Sequence, residues 1–267
     1  MENKEKYFND IAEYKLLAKH EVGQNFLIDS DVCERIVSKA ELTSEDNALE
    51  IGCGAGSLSY FIACSLAKAD LIDIDPLFVE KLSQDFKGNS RLVIKQANIM
   101  RYDMAPYTKI IGNLPYYITS GILERIALTS KAKLAILMVQ KEVFPRLNAK
   151  VGDEAYGPLS ILLEYRGTLK KEFYVPRTAF TPAPHVESLV FSFSFNEDSN
   201  LETASKLYSL VSALFLHRRK TIYSNLSFYL KNSDKARAVL ASLEIDENKR
   251  PEQLSLKDYL SLLSRLL

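Results

Sequence analysis

The stretch "LEIGCGAGSL", residues 49–58, decides the fold. Its first half is apolar and reads as a buried strand, and Gly52, Gly54 and Gly56 follow at once, before an apolar helical pattern resumes. Glycine accepts the positive φ of a tight strand-to-helix turn and lets the backbone approach a ligand, the arrangement found at the switch point of an open parallel sheet. The dinucleotide-binding fingerprint G-x-G-x-x-G would need glycine at position 57, where the chain has Ser57. The spacing here is G-x-G-x-G, with Glu50 two residues ahead of it. A plain glycine-rich turn is the competing interpretation.

Working outward, "NALEI", "ADLIDID", "RLVIKQA", "KIIGN" and "KLAILMVQ" read as buried parallel strands, separated by segments long enough for crossover helices. That rhythm predicts a doubly wound, mostly parallel α/β sheet. "LVFSFSF" (189–195) is expected as a last strand and "NEDSN" as a linker. Beyond it, Leu207, Leu210, Val211, Leu214 and Phe215 recur at helical spacing. The expected domains are therefore 1–196, α/β, and 197–267, small and all-α.

The global charge carries no nucleic-acid signal, because Lys plus Arg (34) equals Asp plus Glu (34), so any basic footprint must be local. Three cysteines, Cys33, Cys53 and Cys64, lack CxxC spacing, and His20, His185 and His217 are scattered, so no disulfide framework and no metal site are expected. The charged N-terminus and the lack of any long apolar run predict a cytoplasmic protein without a membrane segment.

Two polar residues extend the glycine turn into a candidate nucleoside site. Asp73 stands at the tip of the second strand, roughly 20 residues after the glycines, where a carboxylate can accept hydrogen bonds from both ribose hydroxyls. Asn98 ends the third strand, where a side-chain amide could read an adenine edge. Alternatively both cap the helices that follow. "IIGNLPYYIT" (110–119) closes the fourth strand at the same sheet edge. The Asn113 side-chain carbonyl and the Leu114 backbone carbonyl can jointly accept hydrogen bonds from an exocyclic NH2. Pro115 sets the turn, and Tyr116 offers a stacking face to a base.

The G-x-G-x-G turn resembles the cofactor loop of class I S-adenosylmethionine methyltransferases, and N-L-P-Y resembles the tetrad of the ribosomal RNA adenine dimethyltransferases. Further matches to that family run along nearly the whole chain: "GQNFLID" (23–29), "VQKEVFPRL" (139–147), "YGPLSILLEY" (156–165), "FTPAPHVES" (180–188) and "LFLHRRKTIYSNL" (214–226). The resemblance implies a Rossmann-like methyltransferase domain and a helical domain that contacts RNA or the ribosome. It implies S-adenosyl-L-methionine as methyl donor, held by Gln24, Asn25, Leu27, Glu50, Gly52, Gly54, Gly56, Asp73, Asn98 and Asn113, with Asn25 and Leu27 at the methionine end. It implies that Asn113, Leu114, Pro115 and Tyr116 carry the chemistry, with Phe180 as a second stacking face, unless Phe180 is simply core.

The subfamily most resembled dimethylates two adjacent adenosines near the 3′ end of small-subunit (16S) ribosomal RNA, within a pre-30S-like particle, acting as a monomer. Lys141, Arg146, Arg218, Arg219 and Lys220 are the expected phosphate contacts; on a helix, the consecutive 218–220 residues would otherwise form a solvated charged face. Competing readings are a macrolide-resistance-type 23S ribosomal RNA methyltransferase and a chiefly non-catalytic ribosome assembly checkpoint. Three positions depart from the family pattern: Asn98 where an acid is common, Tyr117 where Asn is common, and His185 where Lys is common.

Overall fold

The computed structural model describes residues 3–13 and 25–266. Contacts divide the chain into two compact units, residues 1–144 with 169–195, and residues 145–168 with 196–267. Helix α1 (Lys4–Glu13) opens the first unit, followed by strand β1 (Phe26–Leu27) and helix α2 (Ser30–Ser38), whose N-cap Asp29 accepts from the Asp31 and Val32 amides.

The five expected parallel strands form: β2 (Asn47–Ile51), β3 (Lys68–Asp73), β4 (Leu92–Gln96), β5 (Lys109–Asn113) and β6 (Leu134–Gln140). They are joined by helices α3 (Ser57–Cys64), α4 (Pro76–Asp85) and α5 (Thr119–Thr129). Most have the continuous apolar runs of strands covered on both faces; Ala48, Leu49 and Ile51 of β2 are each 1% exposed or less. Helix α4 starts where expected, Asp75 capping it through the Leu77 amide and Pro76 standing at its first position.

Two further strands complete the seven-stranded sheet, in the order β4-β3-β2-β5-β6-β9-β7. Strand β9 (Ser188–Phe195) runs antiparallel to β6, with Gln140 opposite Ser188. Strand β7 (Gly167–Val175) forms the edge, and a separate ribbon pairs β1 with β8 (Phe180–Thr181), placing Leu27 opposite Phe180. Because β2 lies between β3 and β5, the chain changes winding direction there, and the C-terminal ends of β2, β3 and β5 open a crevice.

The second unit is helical: α7 (Pro158–Arg166), α8 (Leu201–Leu214), α9 (Ile222–Leu230), α10 (Ser233–Ser242) and α11 (Leu256–Leu266), with the short α6 (Val143–Leu147) at its entry. Leu207, Leu210, Val211 and Leu214 are fully buried as their spacing predicts, together with Tyr156 and Ile161 from the 145–168 segment. That segment corrects the expected boundary, which assigned it to the first domain. The buried Arg166 ties it to the linker, its guanidinium donating to the Ser199 carbonyl at 2.9 Å. Among the described residues, no helix is long and apolar enough to cross a membrane.

Candidate functional site

A cavity of about 450 Å³ opens at the switch point, a size suited to a nucleoside-containing ligand. Asn25, Leu27, Glu50, Gly52, Gly54, Asp73, Asn98, Asn113, Leu114, Pro115 and Tyr116 all line it. Gln24 lies outside the described residues.

The glycine turn is shaped by backbone dihedrals. Gly52 and Gly54 have φ of +69° and +50°, in the left-handed region that side chains resist. The Gly52 and Cys53 amides both donate to the Ile72 carbonyl, at 2.9 and 3.1 Å, which locks the turn onto the end of β3. A Cβ built on Gly52 would have as its nearest neighbour the Asn113 carbonyl oxygen, at 3.9 Å. The glycine turn and the end of β5 thus face each other across a narrow gap. Gly112, just ahead of Asn113, is needed for a different reason: a Cβ there would come within 2.9 Å of the Ile51 carbonyl.

Gly56 does not line the cavity. At φ +100° its missing side chain makes room for Tyr7 and Leu82, and it stands at the N-cap of α3.

Asp73 has a structural task in addition to its place on the cavity wall. Oδ2 accepts from the Gly54 amide at 2.8 Å and Oδ1 from the Asp75 amide at 2.9 Å, so the carboxylate clamps the glycine turn to the tip of β3. Burial raises its pKa above the usual aspartate value, while these two amide bonds oppose that rise. Glu50 is 1% exposed and accepts from Ser59 Oγ at 2.6 Å. Burial pushes its carboxyl up to about 8, partly opposed by the Ser59 bond, so it is mostly protonated at neutral pH.

Asn98 does cap: its Oδ1 accepts from the Met100 amide at 2.9 Å, opening a short turn over Ile99–Arg101. The cap uses one lone pair of the carbonyl oxygen and leaves the amide nitrogen as a donor toward a nucleobase edge.

In the tetrad, the Leu114 amide donates to the Met138 carbonyl at 3.0 Å, and Pro115 carbonyl accepts from Thr119 Oγ1 at 3.0 Å at the start of α5. The Tyr116 hydroxyl shares a 2.8 Å hydrogen bond with the buried Ser188 Oγ, which fixes the ring on the cavity wall. Phe180 is not on that wall. It is 3% exposed within the main core and pairs with Leu27, which matches the alternative reading of Phe180 as core. The ribbon register accounts for this, since it commits Phe180 to seating β1.

Residues that sequence reasoning missed include Phe26, edge-on to Phe78 at 5.4 Å, and Ile74, an apolar side chain left 61% exposed beside Asp73. An exposed isoleucine flanked by two aspartates at a strand tip was the available signal for the second.

The basic residues fall into separate units. Lys141 belongs to the first, its Nζ 2.9 Å from Glu187 Oε2. Arg146, exposed on α6, belongs to the second, as do Arg218, Arg219 and Lys220. The last three are not helical but lie in the turn between α8 and α9, with Arg218 Nε 3.7 Å from Glu252. Asn225 holds that turn by donating to the carbonyls of Thr221 (3.1 Å), His217 (3.2 Å) and Lys220 (3.5 Å).

The sequence model of a family described as ribosomal RNA adenine dimethylase matches residues 16–266. A Malacoplasma penetrans protein named ribosomal RNA small subunit methyltransferase A is 33% identical over 262 residues, covering 96% of this chain and 95% of its own. A protein of the same name from Leuconostoc mesenteroides is 34% identical, covering 94% and 91%. The crystal structure of a dimethyladenosine transferase from Plasmodium falciparum superposes with a TM-score of 0.77 at 26% identity, over 89% of this chain and 96% of that one. The 23S rRNA methyltransferase ErmE shares the fold, with a TM-score of 0.66 at 22% identity.

Proposed function

Because the chain belongs to the ribosomal RNA adenine dimethylase family, we propose that it transfers methyl groups from S-adenosyl-L-methionine to N6 of two adjacent adenosines near the 3′ end of small-subunit ribosomal RNA. The products are N6,N6-dimethyladenosines, and the substrate is the RNA within a pre-30S-like particle, met by a monomer in the cytoplasm. The name shared by the bacterial relatives favours the small-subunit RNA over the large. The observation that supports the reading is the β2–β5 register, Ile51 opposite Gly112, which sets the glycine turn beside Asn113 and Leu114 on the wall of one cavity.

The residues present suit that cofactor. The Asp73 carboxylate, on the cavity wall, accepts the Gly54 amide on Oδ2 and the Asp75 amide on Oδ1, and an ionised carboxylate has acceptor capacity beyond its backbone bonds for a ribose hydroxyl. The exposed Ile74 offers apolar surface to a purine, and Asn98 an amide donor to its edge. Asn25 and Leu27 also line the cavity and are the residues we assign to the methionine end. When bound, S-adenosylmethionine supplies a methyl group on an already activated sulfonium, open to in-line displacement by a nitrogen lone pair.

What remains is positioning, and the chain's own residues supply it. The target adenine is swung out of its RNA context, at a cost of a few kcal/mol, and stacks on Tyr116, whose ring is held by Ser188. In the first transfer Asn113 Oδ1 and the Leu114 carbonyl accept the two N6 hydrogens, and in the second one of them accepts the single hydrogen that N6-methyladenine keeps. An aromatic amine is a weak nucleophile because its lone pair is delocalised, and gripping both hydrogens favours localising it towards the methyl group. Methylation makes the nitrogen cationic and acidic, so its proton leaves to water without a dedicated base.

The test is incubation of purified protein and labelled S-adenosylmethionine with unmethylated small subunits, with modified nucleotides mapped by mass spectrometry. Two adjacent dimethyladenosines are expected, and the Asn113→Ala variant should bind cofactor within a few fold of wild type yet transfer nothing. Label found only in large-subunit RNA, or normal turnover by Asn113→Ala, would refute the reading.

A further inference from the structure

Tyr174, near the end of the edge strand β7, is 49% exposed although its neighbours Phe173 and Val175 are buried. Two ammonium groups flank its ring, Lys171 Nζ at 5.1 Å and Lys141 Nζ at 5.2 Å from the centroid. An exposed ring with long, flexible cations over it suits single-stranded nucleic acid: an ammonium that moves from the ring to a phosphate leaves a face on which a base of any identity stacks.

Hydrogen bonds and chain adjacency tie this platform to the candidate site. Lys141 follows the last residue of β6, its amide donates to the Glu187 carbonyl at 3.0 Å, and its Nζ meets Glu187 Oε2 at 2.9 Å. Glu187 is the chain neighbour of Ser188, whose hydroxyl holds Tyr116. The Glu187 carboxylate offsets the Lys141 charge and fixes its position. Lys170 is likewise engaged by Glu172, at 3.4 Å, so Lys171 carries the platform's net positive charge.

We propose that Tyr174, between Lys141 and Lys171, stacks an unpaired nucleotide of the same RNA strand whose adenine enters the cavity, holding the strand while that adenine is displaced. The proposal rests on the RNA-methylating reading above. It adds a strand-holding position outside the cavity, one whose loss raises the RNA requirement without touching cofactor binding.

Tyr174→Ala, Tyr174→Phe and Lys171→Gln are compared with wild type for three quantities: S-adenosylmethionine affinity by calorimetry, KM for unmethylated small subunits, and affinity for a protein-free 3′-terminal fragment of that RNA. Tyr174→Ala is expected to raise KM and to weaken fragment binding by about tenfold, with cofactor affinity at the wild-type value as evidence of an intact fold. Tyr174→Phe, which keeps the ring, is expected to stay within about twofold, and Lys171→Gln to reduce the salt dependence of fragment binding by about one ion. Unchanged fragment affinity in Tyr174→Ala overturns the proposal. So does weaker binding to the particle alone, which would assign Tyr174 to a protein contact. A wild-type protein that methylates no small subunit fails the functional reading instead, and that result is visible before any variant is made.

Discussion

Glu50 makes the stability of the α/β unit depend on pH. Its carboxyl is pushed from the ordinary glutamate value of 4.5 to about 8 by burial, so between those values the folded protein keeps a proton that the unfolded chain has released. For a folded-state pKa that is raised, the contribution to stability is complete below the ordinary value and is lost as pH climbs to the raised one. At about 1.4 kcal/mol per pH unit, the loss approaches 2 kcal/mol by pH 6 and is on the order of 5 kcal/mol by pH 8. Glu50→Gln keeps the shape, and its amide oxygen can still accept from Ser59 Oγ, but nothing is left to ionise. The variant should therefore match wild type near pH 4.5 and exceed it by a few kcal/mol at pH 8. Hydrogen–deuterium exchange of peptides covering β2 is the suitable readout, because it reports on this unit without contribution from the helical one. A stability gap between Glu50→Gln and wild type that stays constant from pH 5.5 to 8.5 would refute the assignment of a buried, protonated Glu50.

Gly56→Ala should destabilise the α/β unit by about 1–3 kcal/mol, since it places a side chain at φ +100° against Tyr7 and Leu82; urea melts followed by circular dichroism would measure it. Ser188→Ala and Tyr116→Phe each remove the same 2.8 Å hydrogen bond, so each should lower kcat about fivefold to tenfold and the double variant should add nothing further, which single-turnover methylation assays can test. Arg219→Ala with Lys220→Ala should weaken RNA binding and lower the slope of log affinity against log salt by about 2, measured by filter binding over a salt series.

The parallel sheet was legible because buried strands carry uninterrupted apolar runs and each is followed by its own turn residues, from Gly52 to Asp75 to Asn113. Strand β7 was not, because an edge strand tolerates the charges of "GTLKKEFYV", which erase the alternating pattern. Strands β1 and β8 are two residues each, below the length at which periodicity exists. The 145–168 segment misled for a different reason. An apolar helix between two strands reads as a crossover, and only its packing partners, such as Leu207 and Leu210 in a common core with Ile161, assign it to the other unit. The basic run at 218–220 does not form the helical charged face weighed for it, because Thr221 caps a new helix and the run becomes the turn before it.

The candidate site divides along the same line. Its backbone features could be read locally, since glycines, a proline and strand-end polar residues state what the chain does within a few positions. Its supporting contacts could not. Tyr116 is oriented by Ser188, 72 residues away, and the Gly56 carbonyl accepts from the Tyr7 hydroxyl, 49 residues away, at 3.5 Å. For Asp73 the sequence suggests a ribose contact or a helix cap, yet its 2.8 Å bond to the Gly54 amide makes it part of the turn it faces. Removing that carboxylate would therefore change both the ribose contact and the shape of the loop. A loss of cofactor affinity in an Asp73 variant measures two effects together, the lost ribose contact and the altered loop.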